Sequence, residues 1–438
     1  TMQQPNVMII STHDTGRHFG CYGVPTVQSP AIDRLAAEGV RFTNMFAACP
    51  ICSPSRGALL TGRYPLQNGL VGLAGGGWNW ELHDYDVHLS HRLRAQGYHT
   101  AMFGLQHETS YIDRMGFDDT SAHGVNVGDR ERSAADVAAD VCDFLQAHDG
   151  AQPFYAQVGF HETHTAYTFA GCEPDCARGA WVPPYAQAHD WAPWSQILAR
   201  FDGDTGRIPQ HIAELQGSVR RADEGVGMIL DALNQAGLAE DTLVVFTTDH
   251  GPELPGAKWT MYDAGLGIAF IMRWPGGAVA GGRTCDWLLG NVDFLPTLFD
   301  LLQIDAPDDL QGHSFADACR QPEPAAGSPR DAVYSNWVDG LNFSVRTERH
   351  KLIRNLVPVD STGRACRPYE LYDLELDPLE LTDVVDEPAY REVAGRLRGR
   401  LDEWLTQMGD PTVHGELATA DHDEMLAEYT RRYHELHG

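Results

Sequence analysis

Positive charge is scarce in this 438-residue chain: Lys and Arg number 32 against 61 Asp and Glu, a formal net charge of −29 at pH 7. A field of that sign repels nucleic-acid backbones and anionic lipid. A broad phosphate-backbone binder is therefore excluded, and no nucleic-acid partner is expected. Long apolar runs are missing too. None approaches the roughly 20 residues that a membrane helix needs, so no membrane span is expected. The first residues, Thr1-Met2-Gln3-Gln4-Pro5, lack a basic patch followed by an apolar stretch. The expectation is a cytoplasmic protein without a signal peptide. Cysteine is present but unpatterned: nine residues, with Cys172/Cys176 and Cys49/Cys52 as the only close pairs and none at repeated zinc-finger spacing. Most are expected to be buried and reduced.

What is present is ordinary globular composition, 43% apolar and 21% charged. The length permits two domains, or one large core with an attached module. Asn6 to Ser11 is a continuous apolar run, the pattern of a strand covered on both faces of a parallel sheet. Ser29-Pro30 opens a helix with Ile32, Leu35 and Ala36 on one face and a stop near Gly39. Further strands are expected at Thr100–Phe103, Phe154–Phe160, Leu243–Thr247 and Ile268–Met272, with helices at Ala134–Ala147 and Gln210–Ala236. The alternation predicts an α/β fold, a large mostly parallel sheet sandwiched by helices. Ligands in such folds sit beyond the carboxyl ends of strands. Polar clusters stand at just those places: His13-Asp14, His107, His161 to His164, and Asp249-His250.

The pattern changes near residue 325. Gln321 to Arg330 has linker composition, with Pro322, Pro324, Gly327 and Pro329. Short strand-like segments follow at Ala332–Asn336, Asn342–Thr347 and Lys351–Leu356. A helix over Ala389–Gln407 carries Val393, Leu397, Leu401 and Leu405 at helical spacing. The expected division is a catalytic α/β domain over residues 1–325 and a smaller antiparallel α+β subdomain with a helical tail over 326–438.

One string is far more specific than the rest: Cys52-Ser53-Pro54-Ser55-Arg56, followed by Leu60-Thr61-Gly62. A lone cysteine is usually a small core residue. This many matched positions at fixed spacing make chance a poor explanation. The string resembles the signature of the sulfatase family, in which the cysteine is oxidised to formylglycine. The similarity continues through Gly20-Cys21-Tyr22-Gly23, Asp249-His250-Gly251, Lys258, Tyr262 and Arg273-Trp274-Pro275-Gly276. It extends into the second domain at Arg346 to Leu352, Glu370 to Leu374 and Asp377-Pro378. Within the family it runs closest to the N-sulfoglucosamine sulfohydrolases, through Gln67-Asn68-Gly69, Phe160 to His164 and Arg346 to Asn355.

The resemblance implies an alkaline-phosphatase-like fold and a sulfuric ester or sulfamate hydrolase. It implies a formylglycine-generating enzyme as maturation partner and one divalent metal, calcium by family habit, ringed by His13, Asp14, Cys52, Asp249 and His250. It gives Arg56 the task of fixing the formylglycine hydrate and His107 that of base for sulfate release. His164 and Lys258 would hold the sulfate and protonate the leaving atom, with His161 in a supporting place. A sulfate ester surrounds its sulfur with anionic oxygens, and cations must offset that charge before a nucleophile can approach.

Two positions depart from the family pattern. His13 stands where an Asp is usual, and Leu105 where the pattern Gly-Lys-x-His has its Lys. One change removes a negative charge and the other a positive one, so the site's charge is roughly kept. An imidazole-richer shell suits manganese or zinc better than calcium. The expected substrate is a sulfated sugar, short rather than polymeric given the acidic field. Two alternatives stay open: a phosphonate monoester or phosphodiester hydrolase using the same nucleophile, and a non-catalytic protein that binds sulfate esters. A homo-oligomer is compatible with the sequence.

Overall fold

The computed structural model describes residues 4–75, 80–121, 132–165, 208–321, 327–358, 365–414 and 421–437. Strand β1 (Asn6–Thr12) is buried at every residue, and its neighbours show why its sequence is apolar throughout. Met8 and Ile10 face one layer of helices, while Val7 and Ile9 face the other. The remaining strands of the large sheet are β2 (Val40–Phe42), β4 (His99–Gly104), β5 (Asp119–Thr120), β6 (Phe154–Gly159), β7 (Thr242–Thr248), β8 (Phe270–Arg273) and β9 (Arg283–Cys285). They run in the order β5-β4-β6-β1-β7-β8-β2-β9. Strands β6 and β7 flank β1 in parallel, with Ile9 opposite both Gln157 and Val245. Among the described strands only β8 is antiparallel to both its neighbours. A short pair, β3 (Met45–Phe46) with β10 (Leu289–Gly290), stands apart from the sheet.

Helix α1 (Pro30–Glu38) and the helices Ala134–Ala147 and Ile208–Gln235 cover one face. Helix α2 (Cys52–Thr61) and Phe294–Leu302 cover the other. Ser29 is the residue before α1 as expected, but its side chain caps nothing there. The buried Asp223 takes that part from the long helix, accepting from Ile32 N at 2.8 Å and Ala31 N at 3.1 Å.

The C-terminal strands β11 (Val333–Trp337), β12 (Asn342–Arg346), β13 (His350–Asn355) and β14 (Tyr369–Asp373) form a four-stranded antiparallel sheet in sequence order. The helix Arg391–Gln407 packs Leu397, Leu401 and Leu405 against it, and His422–His437 adds Tyr429 and Tyr433. The elements depart from the sequence reading at several ends, and one strand was not read. Strand β8 starts at Phe270, because Ile268 N is already bonded to Met45 O. The late helix starts at Arg391, after a tight turn at Pro388–Tyr390. Strand β14, with two charges in five residues, gave no apolar run to read. Residues 322–326 of the expected linker, and Cys172 and Cys176, lie outside the described residues.

The small sheet is tied to the large one through buried charge. Lys351 is fully buried, with Nζ 2.5 Å from Asp263 Oδ1, 2.8 Å from Glu380 Oε1 and 3.0 Å from Met261 O. Arg346 adds a two-pronged grip on Asp263, and Tyr262 donates to Glu370 Oε2 at 2.9 Å. Replacing Lys351 by Met leaves the buried Glu380 without its cation and the partly buried Asp263 with Arg346 alone. Such losses cost about 3–5 kcal/mol. Urea denaturation of Lys351→Met is expected to show a loss of that order, and a midpoint matching wild type would refute the structural role.

Candidate active site

The carboxyl ends of four strands and the start of α2 converge on one point. Beyond β1 stand His13 and Asp14, beyond β4 His107, beyond β6 His161 to His164, and beyond β7 Asp249 and His250. All are buried except His164, which is partly exposed. The centre of the arrangement is the Asp249 carboxylate. Its Oδ1 accepts from the backbone N–H of Asp14 and of His250, each at 2.9 Å. Its Oδ2 accepts from Arg56 Nε at 3.2 Å and lies 3.0 Å from His13 Nδ1. Asp14 has a φ of 42°, in the left-handed region, and the bond from its N–H to Asp249 holds it there.

Cys52 is the first residue of α2, and its Sγ lies 3.3 Å from His250 Nε2 and 3.8 Å from Asp14 Oδ1. His250 Nε2 is in turn 3.2 Å from Asp14 Oδ1, while its Nδ1 meets Gly251 O at 2.9 Å. Lys258 Nζ is 2.6 Å from Asp14 Oδ2, and His164 Nε2 is 3.8 Å from the same oxygen. His107 is buried, with its ring centre 6.1 Å from that of His13, and His161 sits 5.6 Å from His164 on the same measure. The structure thus brings the candidate catalytic and metal-ligating residues to one place. Arg56 donates to Asp249 Oδ2, Ser11 Oγ and Thr12 O. Leu105, at the end of β4, is buried.

The electrostatics follow from burial set against neighbouring charge. Burial pushes the Asp14 carboxyl up, but Lys258, His164 and His250 outweigh it and hold Asp14 below the usual carboxylate range. Asp249 is likewise raised by burial and lowered further by His250, His13 and Arg56, ending well below that range. Burial, then the nearby Arg56, depresses His107 to about 3 and His13 well below its ordinary value. These two imidazoles are neutral, as a base or a metal ligand must be. Burial pushes the Cys52 thiol well up, so as a plain thiol it is protonated and a poor nucleophile.

Sequence reasoning missed several partners. Ser55 Oγ donates to Asp249 O, and Asn291 Nδ2 donates to Ser55 O at 2.9 Å, bracing the first turn of α2. Glu108 accepts from the His107 N–H at 2.8 Å and from Gln157 Nε2 at 3.2 Å. A signal for Glu108 existed in the polar run Gln106 to Thr109 directly after a strand. Asn291 gave none, being 236 residues from Ser55.

The donor set fits a divalent cation. One ligand atom each from His13, Asp14, Cys52 and Asp249 lie within 4.8 Å of one another, and all four residues are buried. Two carboxylates this close and this buried repel each other, and a cation between them relieves that repulsion. Asp249→Ala is therefore expected to abolish stoichiometric divalent-metal binding in elemental analysis. The variant should also lose about 3–5 kcal/mol of stability, because Arg56 stays buried without its carboxylate. Unchanged metal content would place the metal elsewhere.

Comparison with known proteins agrees with this geometry. The sulfatase family profile matches residues 5–304, and the profile of the N-sulphoglucosamine sulphohydrolase C-terminal region matches residues 257–407. Human N-sulphoglucosamine sulphohydrolase is 26% identical, over 93% of this chain and 91% of that protein. A protein solved in complex with its substrate D-glucosamine-2-N,6-O-disulfate superposes with a TM-score of 0.73 at 21% identity, covering 93% of this chain and 99% of its own. The phosphonate monoester hydrolase of Agrobacterium radiobacter superposes with a TM-score of 0.69 at 22% identity, over 92% and 96% of the two chains. With the signature cysteine at the start of a buried helix and the strand-end residues gathered around it, the chain belongs to the sulfatase family and is a sulfuric ester or sulfamate hydrolase.

Proposed function

We propose that this protein removes sulfate from the nitrogen or an oxygen of a small sulfated sugar, using formylglycine made from Cys52. One observation carries the reading: the signature residue Cys52 opens a buried helix with its Sγ 3.3 Å from His250 Nε2 and 3.8 Å from Asp14 Oδ1, where the strand-end residues converge. Conversion to an aldehyde hydrate supplies a hydroxyl nucleophile and a second hydroxyl whose deprotonation expels sulfate, so water need not attack sulfur again. His13, Asp14, Asp249 and His250, with the residue at position 52, would hold a divalent ion. That ion, calcium or, with the imidazole-rich shell, manganese or zinc, would supply Lewis-acid polarisation of the sulfate oxygens.

The remaining work belongs to the chain's own groups. Arg56 and His13 fix Asp249, and Asp249 fixes the turns that present Asp14 and His250. Lys258 and His164 lie on the solvent side of Asp14, placed to hold sulfate oxygens and to hand a proton to the leaving atom. Neutral His107 can accept the proton released when sulfate departs. The curated relatives named for sulfated sugars support the substrate class, and the net charge of −29 disfavours long polyanions. The free thiols among the described cysteines support a cytoplasmic setting.

Released sulfate is the decisive readout. Protein matured with a formylglycine-generating enzyme should desulfate small N- or O-sulfated sugars, and Cys52→Ala should lose at least a thousandfold of that activity while melting like wild type. Residual activity within tenfold of wild type would refute the role of Cys52. A preference of several orders of magnitude for phosphonate monoesters over every sulfated compound would favour the hydrolase alternative, and binding without turnover would favour the non-catalytic one.

A further inference from the structure

The side chains around Lys258 are graded in exposure from the nucleophile outward. Asp14 is fully buried, Lys258 is 5% exposed, His164 15% and Glu253 26%. Trp259, at 37%, is the outermost. Lys258 Nζ stands within this series, 2.6 Å from Asp14 Oδ2 and 3.5 Å from Glu253 Oε2. Ligand atoms of Asp14, His164 and Glu253 lie within 4.8 Å of one another. A sulfated molecule with its sulfur at Cys52 therefore leads its leaving group outward past Lys258, Glu253 and Trp259.

Glu253 is a costly residue to keep at the mouth of an anion site, because its carboxylate repels incoming sulfate. Its position is fixed all the same: Oε2 accepts from Thr165 Oγ1 and from Lys258, while Oε1 makes no hydrogen bond among the described residues. Trp259 is equally unusual. Its φ is 66°, in the left-handed region that bulky residues avoid. Its N–H donates to Pro50 O at 3.2 Å, two residues before Cys52, and its ring centre lies 5.1 Å from Lys258 Nζ. A strained, half-exposed indole pinned beside the nucleophile turn presents a flat apolar face next to an open acceptor.

We propose that Glu253 and Trp259 form a leaving-group subsite. It selects a ring that lies on the indole and carries a hydrogen-bond donor at or beside the leaving atom. A sulfamate N–H and a neighbouring sugar hydroxyl both meet that description. A leaving group without a donor offers Glu253 only lone pairs and is repelled. This rests on the sulfated-sugar reading above and narrows it to the residues that recognise the sugar. Glu253 acts by contact with substrate, not through Lys258.

Three probes test it with matured enzyme: glucosamine N-sulfate, glucosamine 6-O-sulfate, and phenyl sulfate, which has no donor. Glu253→Gln should lower kcat/KM on the sugars roughly ten- to a hundredfold, the worth of one charge-assisted hydrogen bond. On phenyl sulfate it should raise kcat/KM, since a repulsion is removed and no bond is lost. Loss confined to the N-sulfate identifies the N–H as donor, and equal loss on both sugars identifies the hydroxyl. Glu253→Asp should recover part of the loss. Calorimetric binding of the same sugars to a Cys52→Ala background should show the same order without turnover. Trp259→Ala should raise KM on both sugars more than it lowers kcat. An equal fall on all three probes would mean that Glu253 only positions Lys258, and would overturn the proposal. So would unchanged kinetics in an active enzyme. Wild-type enzyme releasing sulfate from phenyl sulfate and from neither sugar would instead overturn the parent reading.

Discussion

Everything at this site hangs on one carboxylate. Asp249 receives two backbone N–H groups, one guanidinium and one imidazole, and those four partners come from the ends of β1 and β7 and from α2. A buried carboxylate with fewer partners would be protonated or expelled. With all of them it serves as a rivet between the sheet and the nucleophile helix. Cys52 thereby lands within 4 Å of two other site residues without any bond to Arg56. The signature arginine grips Asp249.

The same economy of charge runs through the chain. Its only two lysines are Lys258 and Lys351, and both are buried. One faces Asp14 in the pocket. The other locks Asp263, Glu380 and the Met261 carbonyl, a few residues further along the segment that carries Lys258. The small C-terminal sheet thus bears on the chemistry by holding that segment.

Much of this was legible in the sequence, and the reasons are physical. A continuous apolar run marked β1, because a strand covered on both faces admits little else. Strand ends marked the site, because ligands in such sheets sit there. What stayed hidden was every partnership between distant residues. Asn291 with Ser55, Asp223 with the start of α1, and Lys351 with Asp263 each join segments more than 80 residues apart. No local pattern encodes them. Arg56 shows a further limit: the motif located the residue, but only the fold showed which way it turns. Glu253 and Trp259 were passed over because a carboxylate and an indole beside a lysine look like ordinary loop residues until exposure is known.

The central claim is that this arrangement exists to present residue 52 as an aldehyde hydrate and not as a thiol. Mass spectrometry of the peptide spanning Ile51 to Arg56, taken from protein matured with a formylglycine-generating enzyme, tests it most directly when sulfate release is followed in the same samples. The account predicts an aldehyde at position 52, with activity proportional to the converted fraction. Full activity in protein that carries an unmodified cysteine throughout would contradict it.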